Sequence, residues 1–102
     1  MKVLLVNGSS RANGCTGVAL KEVERALNEE GIETELVFIG NAPIADCTAC
    51  GFCEEHDKCV FDDLVNTFVE KARGADGFVF GSPVYYAHPS GRLLSFMDRV
   101  FY

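Results

Sequence analysis

Four cysteines fall within residues 46–59, DCTACGFCEEHDKC, as Cys47, Cys50, Cys53 and Cys59. The spacing C-x2-C-x2-C-x5-C lets thiolates from one short run converge on a single centre, with the chain wrapped around it. Soft sulfur donors suit an iron–sulfur cluster or zinc, and for zinc His56 could replace one thiolate. Ligand spacing constrains geometry but not occupancy, and acidic Glu54, Glu55 and Asp57 work against an already anionic thiolate cluster. A cluster, a zinc staple, unliganded thiols and disulfides therefore remain open on the residues alone.

Two further segments have chemical potential. In VLLVNGSSRANGCTG an apolar run ends in a turn rich in glycine, serine and asparagine that leads directly into a helical pattern. Backbone N–H groups converge at such a turn, and the helix dipole adds partial positive charge, so an anion is favoured there. Ser9, Ser10 and Thr16 add hydroxyl donors and Arg11 adds a charge. The loop lacks the lysine of a nucleoside-triphosphate loop and the G-x-G-x-x-G spacing of a dinucleotide site. Many neutral donors with little charge suit one terminal phosphate, such as that of FMN. In the second segment, GSPVYYAHPSG, Pro83 stiffens the turn, and Tyr85 and Tyr86 offer flat faces with polar tips. His88 reads as a solvated loop residue.

The elements that position these segments follow from periodicity. KVLLV (2–6) is a continuous apolar run, as expected of a strand buried on both faces. Leu20, Val23 and Leu27 recur at helical spacing over 16–30, with Gly31 as the stop. TELVFI (34–39) reads as a second strand, followed by a long connection at 40–60 that carries the cysteines. Asp62 or Asp63 caps a helix bearing Leu64, Val65, Phe68, Val69 and Ala72 on one face. GFVFGS (77–82) is a third strand, and Ser90 caps a last helix with a stripe of Leu93, Leu94, Met97, Val100 and Phe101. This alternation implies an α/β chain with a parallel sheet covered by helices on both faces. For a strand order 2-1-3 the ligand crevice lies beyond the carboxyl ends of strands 1 and 3, where both candidate loops begin.

The chain has 102 residues, 48% of them apolar, and a net charge of −6. One domain is the most it can form, and the acidic balance argues against nucleic acid or an anionic membrane surface as partner. The opening run is too short for a signal segment, and no stretch approaches the length needed to span a bilayer. A cytoplasmic setting is expected, in which thiols stay reduced.

Together, the NGSSR…T start, the cysteine loop after strand two and GSPVYYAHPSGRLLSFMDRVFY resemble the flavodoxin-like NAD(P)H-dependent FMN reductases, closest to the branch with the iron–sulfur flavoproteins. The resemblance covers the whole chain but only the N-terminal half of a usual member, so the flavodoxin-like sheet is expected to be truncated after its third strand and following helix. It implies FMN, with Ser9, Arg11 and Thr16 on the phosphate and Ser10 and Cys15 in the same loop. Cys15 stands where the family often has asparagine and reads as packing. Ser82, Pro83, Val84, Tyr85 and Tyr86 would run along the isoalloxazine edge, with Ser90 and Gly91 opening the next helix. It also implies that Cys47, Cys50, Cys53 and Cys59 are candidate ligands of a 4Fe-4S cluster, although related flavin reductases keep cysteines here without one.

The expected function is an FMN-dependent oxidoreductase passing electrons from NAD(P)H to a small acceptor or a redox protein, with no general base required of the chain. A non-enzymatic flavin and iron–sulfur electron carrier, or an inactive half-domain that folds on association, are the alternatives. A short sheet with an open edge further predicts a homo-oligomer, paired through the third strand or the last helix.

Overall fold

The run KVLLVN is buried along nearly its whole length, and the other elements are arranged around it. The structure, a computed structural model, describes all of residues 1–102. In chain order the elements are β1 (Lys2–Asn7), α1 (Cys15–Glu29), β2 (Glu33–Phe38), α2 (Phe52–His56), α3 (Leu64–Ala72), β3 (Gly77–Gly81), β4 (Val84–Tyr85), β5 (His88–Pro89) and α4 (Gly91–Phe101). The first three long strands form a parallel sheet in the order β2-β1-β3, with Leu5 opposite Leu36 on one side and Val79 on the other. No helix is long and apolar enough to cross a membrane.

Because side chains alternate across a strand, β1 supplies both cores. Val3 and Leu5 meet Leu20 of α1, with Leu27, Ile32 and Val79 packed around them. Leu4 and Val6 face the other way, against Val65 and Phe68 of α3 and Leu93 and Phe96 of α4. Helices thus cover both faces, as the alternation implied. Burial on both faces holds for β1 alone. The edge strands leave Leu36, Phe38 and Phe78 partly exposed, since each has a neighbour on one side only.

The helix ends are built from local chemistry. After α1, Gly31 adopts φ 77°, its N–H reaches the Asn28 carbonyl and that of Ile32 reaches Leu27. This is the Schellman arrangement, which a left-handed glycine permits without a Cβ clash. Asp63 caps α3 by accepting from the N–H of Val65 at 3.1 Å, and Ser90 caps α4 by accepting from that of Leu93 at 3.3 Å.

Four expectations are corrected. Val23 lies exposed on α1 rather than in its buried stripe. On α4 the inward face carries Leu93, Phe96 and Arg99, while Leu94 and Phe101 are exposed. Helix α4 is turned so that the Phe96 ring meets Phe68 edge-on at 5.0 Å, an arrangement the apolar spacing alone did not select. The connection at 40–60 contains the short helix α2. The tyrosine segment is no open loop but an antiparallel β4–β5 hairpin, Val84 opposite Pro89 and Tyr85 opposite His88.

Phe96 is fully buried and shared between two helices and the sheet. Phe96→Ala should therefore lower unfolding stability by about 3–5 kcal/mol. Val18→Ala, at an exposed position of α1, should stay within about 0.5 kcal/mol. Chemical denaturation of the two variants side by side checks the contrast.

Candidate functional site

The loop after β1 is organised by its own side chains. Asn7, buried at the strand end, accepts from the N–H of Ser9 at 2.9 Å and donates through Nδ2 to the Ala12 carbonyl at 3.4 Å. Ser9 Oγ then accepts from the N–H of Arg11 at 3.1 Å. These bonds fold the turn back over the start of α1. There Gly17 packs so closely that a Cβ would lie 2.2 Å from the Ala12 carbonyl oxygen.

Ser90 joins this loop to the segment after β3. Its Oγ donates to the Gly8 carbonyl at 2.8 Å, and its N–H donates to Ser82 Oγ at 2.8 Å. A direct backbone bond from Gly8 N–H to the Gly81 carbonyl, also 2.8 Å, continues the β1–β3 ladder into the loops. Between them opens a cleft of 1140 Å³, counted to its solvent mouth. Ser9, Ser10, Arg11, Cys15, Thr16, Ser82, Pro83, Val84 and Tyr85 line it, with Gly14 and Ala19.

Two of the residues expected at a flavin ring are placed differently from the rest. Tyr86 is outside the cleft lining. It forms the tip of the hairpin with Ala87, both at positive φ (51° and 65°), and is 97% exposed. Ser82 does line the cleft, but its hydroxyl is occupied: it donates to the Pro83 carbonyl and accepts from Ser90. Asn7 and Ser90 were not singled out as organisers of the site. Asn-Gly at the end of a buried strand was the available signal for the first, and nothing local pointed to the second, whose partner lies across the sheet.

The cleft meets the chemical needs of a phosphate-bearing ligand. Helix α1 has no side-chain cap at its N-terminus, so its first-turn N–H groups are left to solvent or to an anion. Arg11 is exposed and takes part in none of the ion pairs. The donor set is one cation, hydroxyls and free amides, with Pro83, Val84 and Tyr85 beyond as a flatter apolar wall.

A second pocket, 360 Å³ when counted out to open solvent but enclosing only about 30 Å³, lies between the residues joining β2 to α3 and the end of α4. All four clustered cysteines line it, together with Thr48, Gly51, Val60, Phe61, Arg99 and Tyr102. The chain winds round it through left-handed residues at Ala49, Gly51 and Asp57 (φ 57°, 80° and 59°). For Ala49 that conformation costs about 1 kcal/mol or more, whereas Asp57 is the C-cap of α2, where a left-handed residue is ordinary. All five cysteines are free thiols, and no three cysteine, histidine or acidic side chains lie close enough together to hold a metal ion. His56 does not line the pocket; its ring stacks on Phe52 at 4.0 Å within α2, so it is not placed as an alternative zinc ligand. By its chemistry alone the donor set suits a thiolate-bound cluster, since four cysteines line one pocket with the Arg99 cation beside them, although their sulfurs do not converge. Ligation would require the cysteine run to draw inward, as metal binding commonly demands of its loop.

Arg99 is the best-held side chain of the molecule and was not anticipated. Its Nε donates to Cys59 Sγ at 3.3 Å; Nη1 donates to Asp63 Oδ2 and the Ala45 carbonyl at 2.8 and 3.2 Å; Nη2 donates to Asp63 Oδ1 and the Phe61 carbonyl at 2.7 and 2.9 Å. The guanidinium carbon also sits 5.2 Å from the centre of the Phe61 ring. The hydrogen bonds that Arg99 donates to Asp63 raise the Arg99 pKa above its ordinary value. For Asp63, burial acts upward, but the hydrogen bonds from Arg99 and Val65 and the Arg99 charge together hold the carboxyl below its ordinary value.

Sheet order, crevice position and loop chemistry define a flavodoxin-like α/β chain whose phosphate-type cleft opens at the strand ends. The chain belongs to the NADPH-dependent FMN reductase family, which it matches over residues 1–102. It is 39% identical over 99 residues to an iron–sulfur flavoprotein of Methanocaldococcus jannaschii, covering 97% of this chain and 51% of that protein. An iron–sulfur flavoprotein of Methanosarcina thermophila is 39% identical over 100 residues (97% and 52% covered), and one of Archaeoglobus fulgidus 31% over 100 residues (98% and 46%). The chain spans about half the length of these relatives.

Two outcomes follow from this geometry. Gly17→Ala drives a methyl into a carbonyl that Asn7 holds in place. Overpacking of about 1–3 kcal/mol should exceed the gain of about 1 kcal/mol in helix propensity, lowering the melting temperature. For the ion pair, a carboxyl held below its ordinary 3.8 stabilises the fold fully above that pH and loses the contribution as the pH falls through the folded value. Acid unfolding below about pH 4 should therefore be less steep in Asp63→Asn, as followed by circular dichroism.

Proposed function

We propose that this chain is the FMN-phosphate-binding portion of a flavin-dependent oxidoreductase that draws electrons from a reduced nicotinamide and delivers them to a small acceptor or a redox partner. The observation that carries the reading is the cleft shared by the β1 and β3 loops, set over an uncapped helix N-terminus with Arg11 unpaired beside it. The family match and the names of the relatives support it.

In this reading the amides of the α1 start, Ser10, Thr16 and Arg11 take the phosphate. Ser9 has a smaller share, because its oxygen already holds the turn. Pro83, Val84 and Tyr85 border the ring, while Ser82 and Ser90 hold that border in place from behind. Bound FMN would supply the hydride acceptance and the one- or two-electron transfer, so no side chain need act as acid or base. The protein's part is to fix the ring's position and to limit solvent on its inner face. Cys47, Cys50, Cys53 and Cys59 would hold an iron–sulfur centre, and their shared pocket favours a second reading in which the protein relays single electrons without turning over a nicotinamide. The open edge of β3, with Phe78 partly exposed, is the surface this reading assigns to pairing with a second copy.

Anaerobically purified protein supplied with FMN should show flavin absorption that NADPH or NADH bleaches without any added partner. Bleaching only by dithionite would favour the carrier, and a colourless protein that FMN does not stabilise would overturn both readings. Arg11→Ala should weaken FMN binding by about tenfold, or about 1.4 kcal/mol, as measured by quenching of flavin fluorescence.

A further inference from the structure

Cys59 differs from the other clustered cysteines in how firmly it is held. Its N–H donates to Asn66 Oδ1 at 2.9 Å and its carbonyl accepts from Asn66 Nδ2 at 3.0 Å, so one side chain of α3 grips both sides of the residue. Its sulfur accepts from Arg99 Nε at 3.3 Å. Cys47 Sγ, by contrast, meets only the N–H of Ala49, two residues along the same loop. The Arg99 side chain is 1% exposed, and its other four N–H groups are committed to Asp63 and to two loop carbonyls, so Nε has a single direction in which to point.

We propose that Arg99 is a positioning residue of the thiolate centre: it presents Cys59 as the pre-seated sulfur and, through its Nε–H···Sγ bond, shifts the centre's redox balance toward the reduced state. This rests on the reading of Cys47, Cys50, Cys53 and Cys59 as cluster ligands. The physical basis is charge. One-electron reduction, by dithionite in the titration below, would add one negative charge to a bound cluster and its thiolates, with no bond made or broken and no proton required. A hydrogen-bond donor and a buried cation at a ligand sulfur stabilise that added charge, whereas solvent would do so less specifically. Asp63, with both oxygens on the same guanidinium, offsets part of the cation's field. The two residues therefore act on the potential with opposite signs, which a purely structural clamp would not do.

The test is anaerobic reconstitution of the chain with ferrous iron and sulfide, followed by iron and sulfide assay and a dithionite titration. The cluster's electron paramagnetic resonance signal reports its state separately from any flavin. Wild type, Arg99→Lys and Asp63→Asn are compared. Lysine keeps a charge for Asp63 but lacks the planar fork that reaches Cys59 at the same time. Asparagine keeps the cap oxygen for Val65 but removes the offsetting charge. Arg99→Lys should load iron and lower the midpoint potential by about 59 mV, a tenfold change in a one-electron equilibrium, and Asp63→Asn should raise it. Should Arg99→Lys fail to fold, Asp63→Asn decides alone: an upward shift supports the role and no shift overturns it. Loaded variants whose potentials do not move, or move the same way, overturn the tuning role and leave the cluster reading standing. A wild-type chain that takes up no iron overturns the cluster reading and this inference with it.

Discussion

The guanidinium of Arg99 is the point on which the cysteine segment depends. A buried arginine is costly unless all its donors are met, and here five N–H groups find five acceptors, two on Asp63, two on the Ala45 and Phe61 carbonyls and one on the Cys59 sulfur. These acceptors come from the loop before α2, the loop after it and the first residue of the α3 cap, while the donor comes from α4. One side chain thus ties together Ala45, Cys59, Phe61 and Asp63 of a long connection. Asp63 does two tasks at once, capping α3 through Val65 and pairing with Arg99, so helix start and loop position are set by the same carboxylate. Its side chain is 39% exposed, which makes the pair weaker than a fully desolvated one and keeps the carboxylate ionised without a large penalty.

The cleft at the strand ends depends on a different constraint, the close approach of the β1 and β3 loops. Gly8 has no room for a side chain: a Cβ there would lie 2.8 Å from Leu93 Cβ and 3.1 Å from the Gly81 carbonyl oxygen. That contact lets Ser90 reach the Gly8 carbonyl and lets the ladder continue past the strand ends. The cleft floor is therefore backbone held by backbone, with Asn7, Ser9 and Ser90 as the three buried polar side chains that complete it. Little of it relies on flexible groups, which would suit the flavin-holding role proposed for it.

Both pockets follow from one topological fact. In a sheet ordered β2-β1-β3, the connections leaving β1 and β3 flank the switch point and the connection leaving β2 lies on the same end of the sheet. The Ser- and Gly-lined cleft and the thiol pocket consequently occupy the same end of the sheet, the carboxyl end. The hairpin β4–β5 carries this further by lifting Tyr86 clear of the cleft while leaving Tyr85 on its wall.

Sequence by itself determined the order of the three sheet strands and of helices α1, α3 and α4, the caps at Asp63 and Ser90, the stop at Gly31 and the chemical character of the three loops. Each of these depends on neighbours a few residues apart, so period and composition carry the information. Only tertiary structure decided the rotation of α4, which buried Phe96 and Arg99 in place of Leu94 and Phe101. It alone assigned Ser90 to Gly8 and Arg99 to Cys59, contacts between residues 82 and 40 positions apart. The hairpin was hidden because its turn uses Tyr86 and Ala87 at positive φ where glycine or asparagine would have announced it. Strand pairing and helix packing bring such partners together only after the chain has folded, and no local pattern records which buried donor will meet which acceptor.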